Sequence, residues 1–245
     1  MSKTIILIPS RLAAKRLPNK PLLKINNISI INHVYKAALS TGIGDVYVAT
    51  GDKKIFEEVT TNGGNCILTE KQHNTGTDRI FEAFQKLNLN EIDYIINLQG
   101  DEPMIDIEDI ISLKSKAINA KSKIATLASK IKDEKIFKDQ NIVKVITDKE
   151  LLFENIVNAK SFSRNITKSY NIYHHIGIYM YEVSTLKKFV SYNQTQNEIS
   201  QNLEQLRAME NNIEINVILA KSSPIGVDTH DDYMEIKKIM EYKKD

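Results

Sequence analysis

The chain has 245 residues, 42% of them hydrophobic and 26% charged, a balance too apolar for disorder and ordinary for a chain that buries a substantial core. Its 33 Lys and Arg against 31 Asp and Glu leave a formal net charge of +2, so no whole-molecule field draws it to nucleic acid or an anionic membrane, and any anion site must be local. The lone cysteine, Cys66, cannot close an internal disulfide, and the apolar stretch before Pro9 is too short for a secretory leader or a membrane span, so a cytoplasmic setting is expected.

Residues 4–8 form a continuous, largely β-branched run stopped by Pro9, the pattern of a strand buried on both faces. A long loop follows, then a helix with Ile30, Ile31, Val34, Ala37 and Ala38 at helical spacing, ending at Gly42. Strands are expected over 45–50, 66–69 and 93–98, and helices over 53–61 and 78–87, where Ile80, Phe81, Phe84 and Leu87 share one face. Cys66, in the apolar run with Ile67 and Leu68, reads as a buried structural thiol. The second half is less regular, with strands expected over 124–128, 143–146, 176–181 and 213–219, a helix over 199–210 and a closing helix over 231–242. Alternating strands and helices predict an α/β chain with a mostly parallel sheet covered on both sides. No linker, repeat or low-complexity tract divides it, so residues 1–245 are expected to form one domain.

In such sheets ligands gather beyond the carboxyl ends of the strands. Three polar clusters fall there: Pro9-Ser10-Arg11 with its loop, Gln99-Gly100-Asp101, and Gly226-Val227-Asp228. Arg11, Lys15, Arg16 and Lys20 put four cations within ten residues of a loop stiffened by Pro18 and Pro21. Forked guanidinium groups and lysine point charges suit a triphosphate, and a solvated basic surface is the alternative. The loop lacks the glycines of a Walker or dinucleotide-binding turn, so side chains rather than backbone amides must carry any phosphate.

The turn from His73 to Arg79 offers Thr77 or Asp78 as a helix N-cap, and its hydroxyls and amides could also read the edge of a base. Asp101, after an apolar strand and a glycine, stands where a parallel sheet offers a carboxylate to a magnesium ion on a phosphorylated ligand. Asp228 is either a second such ligand or the cap of the last helix, a task open also to Thr229 or Asp231. His174 and His175 have no Cys or acidic partner at zinc spacing, which leaves a structural role or a hydrogen bond to a polyhydroxylated ligand.

In chain order, Arg11-x4-Arg16-Leu17-Pro18-x-Lys20-Pro21-Leu22, Thr75-Gly76-Thr77-Asp78-Arg79, Asn97-Leu98-Gln99-Gly100-Asp101-Glu102-Pro103, His175-Ile176-Gly177-Ile178-Tyr179, Leu203-Glu204-Gln205-Leu206-Arg207 and Gly226-Val227-Asp228-Thr229 resemble the motifs of the 3-deoxy-manno-octulosonate (Kdo) cytidylyltransferases, or CMP-Kdo synthetases. Together they cover nearly the whole chain. The resemblance implies a three-layer, Rossmann-like nucleotide-diphosphosugar-transferase fold with a mixed, predominantly parallel sheet, a homodimer, and magnesium as cofactor. It implies transfer of CMP from CTP to the anomeric hydroxyl of Kdo with release of pyrophosphate, supplying CMP-Kdo for lipopolysaccharide synthesis. Arg11, Arg16 and Lys20 would hold the triphosphate, and Pro9, Ser10, Thr75, Gly76 and Thr77 would surround the nucleotide. Asp101 and Asp228 would hold the metal, and Arg11, Arg16, Lys20 and Asp101 would be the catalytic set. Gln99, Arg164, His175, Tyr179, Glu204 and Gln205 would line the sugar-acid pocket. Lys15 occupies a position the pattern leaves free.

Two departures stand out. The family usually carries Phe-Ser-Arg-x-x-Ile-Pro after the strand matching 143–146, whereas residues 154–159 here read Glu-Asn-Ile-Val-Asn-Ala and Phe162-Ser163-Arg164 comes later. Gly51 separates Thr50 from Asp52, which reads as a minor turn change. The competing readings are a cytidylyltransferase for another α-keto sugar acid, an amino-Kdo or a nonulosonate, and a nucleotide-binding module without transfer activity. The module reading leaves Asp101 and Asp228 without work.

Overall fold

The apolar run at the N-terminus forms β1 (Thr4–Ser10), an inner strand of the sheet in a computed structural model that describes residues 2–13, 16–166, 170–223 and 226–242. A small hairpin of β2 (Lys24–Ile25) and β3 (Ile28–Ser29) follows. It turns on Asn26 and Asn27, both at positive φ (50° and 63°), the backbone that a two-residue hairpin turn requires and that asparagine tolerates. Next come α1 (Ile30–Ser40), β4 (Val46–Thr50), α2 (Lys53–Thr61), β5 (Cys66–Leu68), α3 (Gly76–Leu87) and β6 (Tyr94–Asn97), all close to expectation.

The second half adds α4 (Ile107–Asn119), β7 (Ile124–Lys130), α5 (Glu134–Lys138), β8 (Lys144–Thr147), β9 (Val157–Ser163), β10 (Ile172–Glu182) and α6 (Val183–Ser191). After these come α7 (Gln196–Gln201), α8 (Gln205–Glu210), β11 (Ile215–Leu219) and α9 (His230–Tyr242). The sequence pattern gave no expectation for the hairpin, α4, α5, β9 or α6. The single helix expected over 199–210 is two helices, because Asn202 takes a left-handed backbone (φ 53°) and ends the first.

Among the described residues nine strands make one sheet, in the order β5-β4-β1-β6-β10-β7-β11-β9-β8. It is mixed and predominantly parallel, with β10 and β9 running against the rest. β8 also pairs with β10, so β10, β7, β11, β9 and β8 curl into a ring. Side chains of β1 alternate between two cores. Ile6 and Ile8 pack under α1, α2 and α4 through Ile31, Val34, Ile55, Val59, Ile110 and Leu113. Ile5 and Leu7 pack on the other face under α3, α6 and α8 through Ile80, Phe84, Leu186, Phe189 and Leu206. These are the three layers.

A third apolar cluster joins Leu17, Ile25, Ile30, Val227 and Ile236. Leu17 neighbours Arg16 and Val227 neighbours Asp228, so burying the two apolar residues together carries the charged neighbours to one place. Ile236 is the fully buried residue that α9 adds to this cluster, with Tyr233 and Met240 packed beside it. Ile236→Ala is expected to cost about 2–4 kcal/mol through the cavity it leaves, measured as a loss of unfolding free energy in urea.

Candidate active site

The site forms where β1, β6 and β11 end. Beyond β1, the Leu12 amide donates to Asp52 Oδ2 at 2.8 Å, pinning the start of the basic loop. Beyond β6, Gly100 passes so close to β1 that a Cβ there would lie 2.9 Å from the Pro9 carbonyl oxygen, so glycine alone lets Asp101 follow at this point. Beyond β11, the buried Asp109 carboxylate accepts from the amides of Lys221 (2.7 Å) and Ser222 (3.1 Å) and from the Ser222 hydroxyl (2.6 Å). Further on, the Val227 amide donates to the Asp101 carbonyl at 2.9 Å. Asp101 and Asp228 are thereby set side by side.

Asp228 does not cap α9. Thr229 Oγ1 accepts from the Asp232 amide (3.2 Å), while the Asp232 carboxylate takes the amides of Asp228 (3.1 Å) and Thr229 (2.7 Å). The Asp228 carboxylate is left for cations. Lys20 Nζ lies 2.6 Å from Asp101 Oδ2 and 3.1 Å from Asp228 Oδ1, and Arg16 Nη2 lies 2.9 Å from Asp228 Oδ2. Burial opposes the Lys20 charge, but the two carboxylates outweigh it and hold the ammonium above its ordinary value. Lys20, expected on the triphosphate, thus sits between the two aspartates, where two hard-oxygen donors converge on a single cation. Beside them Glu102 Oε2 is sealed without a hydrogen-bond partner among the described residues. Burial, reinforced by Asp101 and Asp228, pushes that carboxyl up to about 8.

These groups open onto a cleft of about 930 Å³, a volume in the range of ligand sites for small molecules. Arg11, Arg16, Thr75, Gly76, Asp101 and Asp228 line it, as do Gln99, Arg164, His175, Tyr179, Glu204 and Gln205. Pro9, Ser10, Lys20 and Thr77 stand behind that surface. Pro9 packs under Gly76, whose missing side chain would begin 3.3 Å from Pro9 Cγ, and Ser10 is buried. Thr77 is fully buried and its hydroxyl donates to Glu204 Oε1 at 2.6 Å and accepts from Asn97 Nδ2 at 3.2 Å. Lys15 lies outside the described residues.

The N-cap of α3 is Thr75, not Thr77 or Asp78. Its hydroxyl accepts from the Asp78 amide while the Asp78 carboxylate takes the Thr75 amide, a capping box. Asp78 also reaches Arg207 at 3.3 Å, and the buried Arg207 makes a fork to Glu198 at 2.8 and 2.6 Å. The motifs around 75–79 and 203–207 therefore dock on each other and form one wall. Arg79 is buried and structural, donating to Thr69 Oγ1 (2.7 Å) and to the carbonyls of Glu70 and Lys71. Gly51 is more than a turn change, since a Cβ there would meet the Glu70 oxygen and Lys71 Cα at 2.6 Å.

Across the cleft, Gln99 Nε2 donates to the Gly177 carbonyl at 2.9 Å, at a bulge between Ile176 and Tyr179 in β10. His175 is buried, with Nε2 3.1 Å from Thr126 Oγ1 and its ring against Phe162 and Tyr179. Burial, then the neighbouring His174, pushes its pKa down to about 3, so the ring is neutral at ordinary pH. Arg164 follows directly on β9 and lines the cleft, whereas residues 154–159 do not; 154–156 precede the strand. Arg164 Nη1 donates to the Asn141 carbonyl at 2.6 Å and Arg16 Nη1 to Asn141 Oδ1 at 3.3 Å, drawing two guanidinium groups to one residue. Lys144, fully buried, donates to the carbonyls of Arg164 and Asp139. Sequence reasoning missed Asn141, Lys144, Glu102 and Asp109. Glu102 stood in the Asn97 to Pro103 motif without a role of its own, and the other three carried no local signal. Cys66 is half-buried, and burial pushes its thiol up to about 12, which disfavours the thiolate.

This fold is shared by nucleotidyltransferases. A UDP-glucose pyrophosphorylase complexed with UDP-glucose superposes with a TM-score of 0.74 over all of both chains at 14% identity, a likeness of fold alone. The chain matches the family described as cytidylyltransferase over residues 5–215. It is 42% identical to the 3-deoxy-manno-octulosonate cytidylyltransferase of Thermodesulfovibrio yellowstonii, over 97% of this chain and 98% of that one. It is also 42% identical to the enzyme of the same name from Rhodopseudomonas palustris, over 92% and 93%. A CMP:2-keto-3-deoxy-manno-octonic acid synthetase solved with CTP superposes with a TM-score of 0.88 at 34% identity, over 99% of this chain and 100% of the other. The chain belongs to the 3-deoxy-manno-octulosonate cytidylyltransferase family.

Two outcomes follow from the geometry. In Gly100→Ala the new methyl group must displace the Pro9 carbonyl or Asp101, which is expected to cost about 1–3 kcal/mol and to lower turnover, checked by urea unfolding and steady-state rates. His175 binds no proton when folded until about pH 3, whereas unfolded it titrates at 6.5. Its contribution to stability is thus present above pH 6.5 and lost as pH falls toward 3, at up to about 1.4 kcal/mol per pH unit. Unfolding free energies of His175→Gln between pH 6.5 and 4 are expected to fall less steeply than those of the native chain.

Proposed function

We propose that the chain transfers CMP from CTP to the anomeric hydroxyl of Kdo and releases pyrophosphate. The observation that carries this reading is the convergence of Asp101 and Asp228 on one cation position, in the same cleft as Arg11, Arg16 and Arg164. The family membership and the CTP-bound relative give the donor, and the names of the relatives give the acceptor.

In this account Arg11, Arg16 and Lys20 bind the triphosphate through charge-assisted hydrogen bonds. Pro9, Ser10, Thr75, Gly76 and Thr77 form the nucleotide side, where the buried Ser10 and Thr77 act by shaping the wall and the backbone rather than by presenting their hydroxyls. Asp101 and Asp228 fit a magnesium ion, which when bound supplies charge neutralisation on the triphosphate and acidifies an oxygen placed beside it. Arg164, brought toward Arg16 by Asn141, receives the sugar carboxylate. Gln99, neutral His175, Tyr179, Glu204 and Gln205 take the hydroxyl groups, with His175 adding no charge to an already anionic site. The anomeric oxygen attacks the α-phosphorus in line as pyrophosphate departs, so catalysis consists mainly of positioning and of neutralising developing charge.

We further read the chain as one domain of a cytoplasmic homodimer whose product serves lipopolysaccharide synthesis. Among the described residues no helix is long and apolar enough to cross a membrane.

A pyrophosphate-release assay with CTP and a panel of sugar acids is expected to give turnover with Kdo. Release with a nonulosonate and none with Kdo would overturn the choice of acceptor. Asp101→Asn is expected to lower kcat on the order of 10²–10³-fold while leaving most CTP affinity, measured by calorimetry; unchanged kcat would remove Asp101 from the catalytic set.

A further inference from the structure

Lys20 stands between Asp101 and Asp228, the two carboxylates read above as the metal ligands. Its ammonium is 2.6 Å from one carboxylate and 3.1 Å from the other, and its side chain is only 12% exposed. Arg16 takes the remaining Asp228 oxygen at 2.9 Å. An ammonium and a dication cannot share that position, because two cations at contact distance repel strongly in a partly buried site.

The backbone under Lys20 is fixed. Residues Lys20–Leu22 form a single 3-10 turn entered through Asn19 at φ 57°, the Leu23 amide donates to the Lys20 carbonyl, and Pro21 is buried. Only the flexible four-carbon stem is free to move, and it carries a point charge with three donors. Nearby, the cleft offers Arg11 and Arg16 as partners for an anionic guest.

We infer that Lys20 is the resident cation of the nucleotide-free site. It keeps Asp101 and Asp228 together and closed to free divalent metal, and it leaves them when a triphosphate offers a second anionic partner, so that metal and nucleotide enter together. This rests on the reading of Asp101 and Asp228 as the metal ligands. The lysine is then both a phosphate-binding group and the device that orders the two binding events.

The test is Mn²⁺ binding to the full, nucleotide-free chain, followed by the electron paramagnetic resonance of free Mn²⁺. Native protein is expected to bind weakly, and Lys20→Met more tightly, on the order of ten-fold. Lys20→Arg, which keeps the cation, should stay at the native level. Lys20→Gln replaces Lys20→Met if the latter does not fold. The gain should vanish when Asp101→Asn is added. Equal Mn²⁺ affinity in the native and charge-removed chains, with Asp101→Asn alone weakening both, would overturn the lysine's role and leave the metal site standing. A gain that survives Asp101→Asn would overturn the metal assignment itself, and this inference with it.

Discussion

Lys20 brings its ammonium to carboxylates 81 and 208 residues away in the chain, and the rest of the site is arranged about that contact. Two aspartates side by side in a partly buried place repel each other, so the fold has to supply a cation there in every state. In the free chain the cation is Lys20, helped by Arg16. On the proposed reading a triphosphate with its metal replaces it, bringing positive charge for the carboxylates and negative charge for the lysine together.

The contact depends on apolar packing more than on charge. Long-range attraction between exposed ions is weak and screened and could not by itself bring the basic loop to the segment before α9. Burial of Leu17, Ile25, Ile30, Val227 and Ile236 in one cluster does so, and the charged residues beside Leu17 and Val227 come with them. On the third side Gly100 lets β6 run out against Pro9, placing Asp101 level with the other two. The opposite wall has its own lock, in which Arg207 ties Glu198 to Asp78 while Thr77 ties Glu204 to Asn97. The segments around 75–79 and 198–207 are thus tied to each other.

Much of this could be read along the chain. The run from Thr4 to Ile8 is buried on both faces and had to be an inner strand, and Lys53 to Thr61 is a helix with the expected ends. Asp101, after an apolar strand and a glycine, and Asp228, after a Gly-Val pair, both stood out along the chain, and the structure sets them on one lysine. What was not legible depended on contacts distant in sequence. β9 reads as polar because much of it is only half-buried, paired between β11 and β8, and α5 buries no residue at all. Thr77 read as a helix cap on local pattern and as a nucleotide-side residue by resemblance; in the structure Thr75 is the cap and Thr77 is buried, its hydroxyl donating to Glu204 from 127 residues away. Asn141 and Lys144 gave no local sign of organising Arg164, because their role is to hold carbonyls and guanidinium groups that only folding brings near.

On the proposed reading the three strand ends form a nucleotidyl-transfer site in which Lys20 and a metal exchange places. A crystal structure of the chain with CTP and magnesium tests it most directly. The expected result is the triphosphate against Arg11 and Arg16, magnesium held by Asp101 and Asp228, and the Lys20 ammonium moved onto phosphate oxygens. A triphosphate bound in this cleft with Lys20 still bridging both aspartates, or bound elsewhere on the molecule, would contradict it.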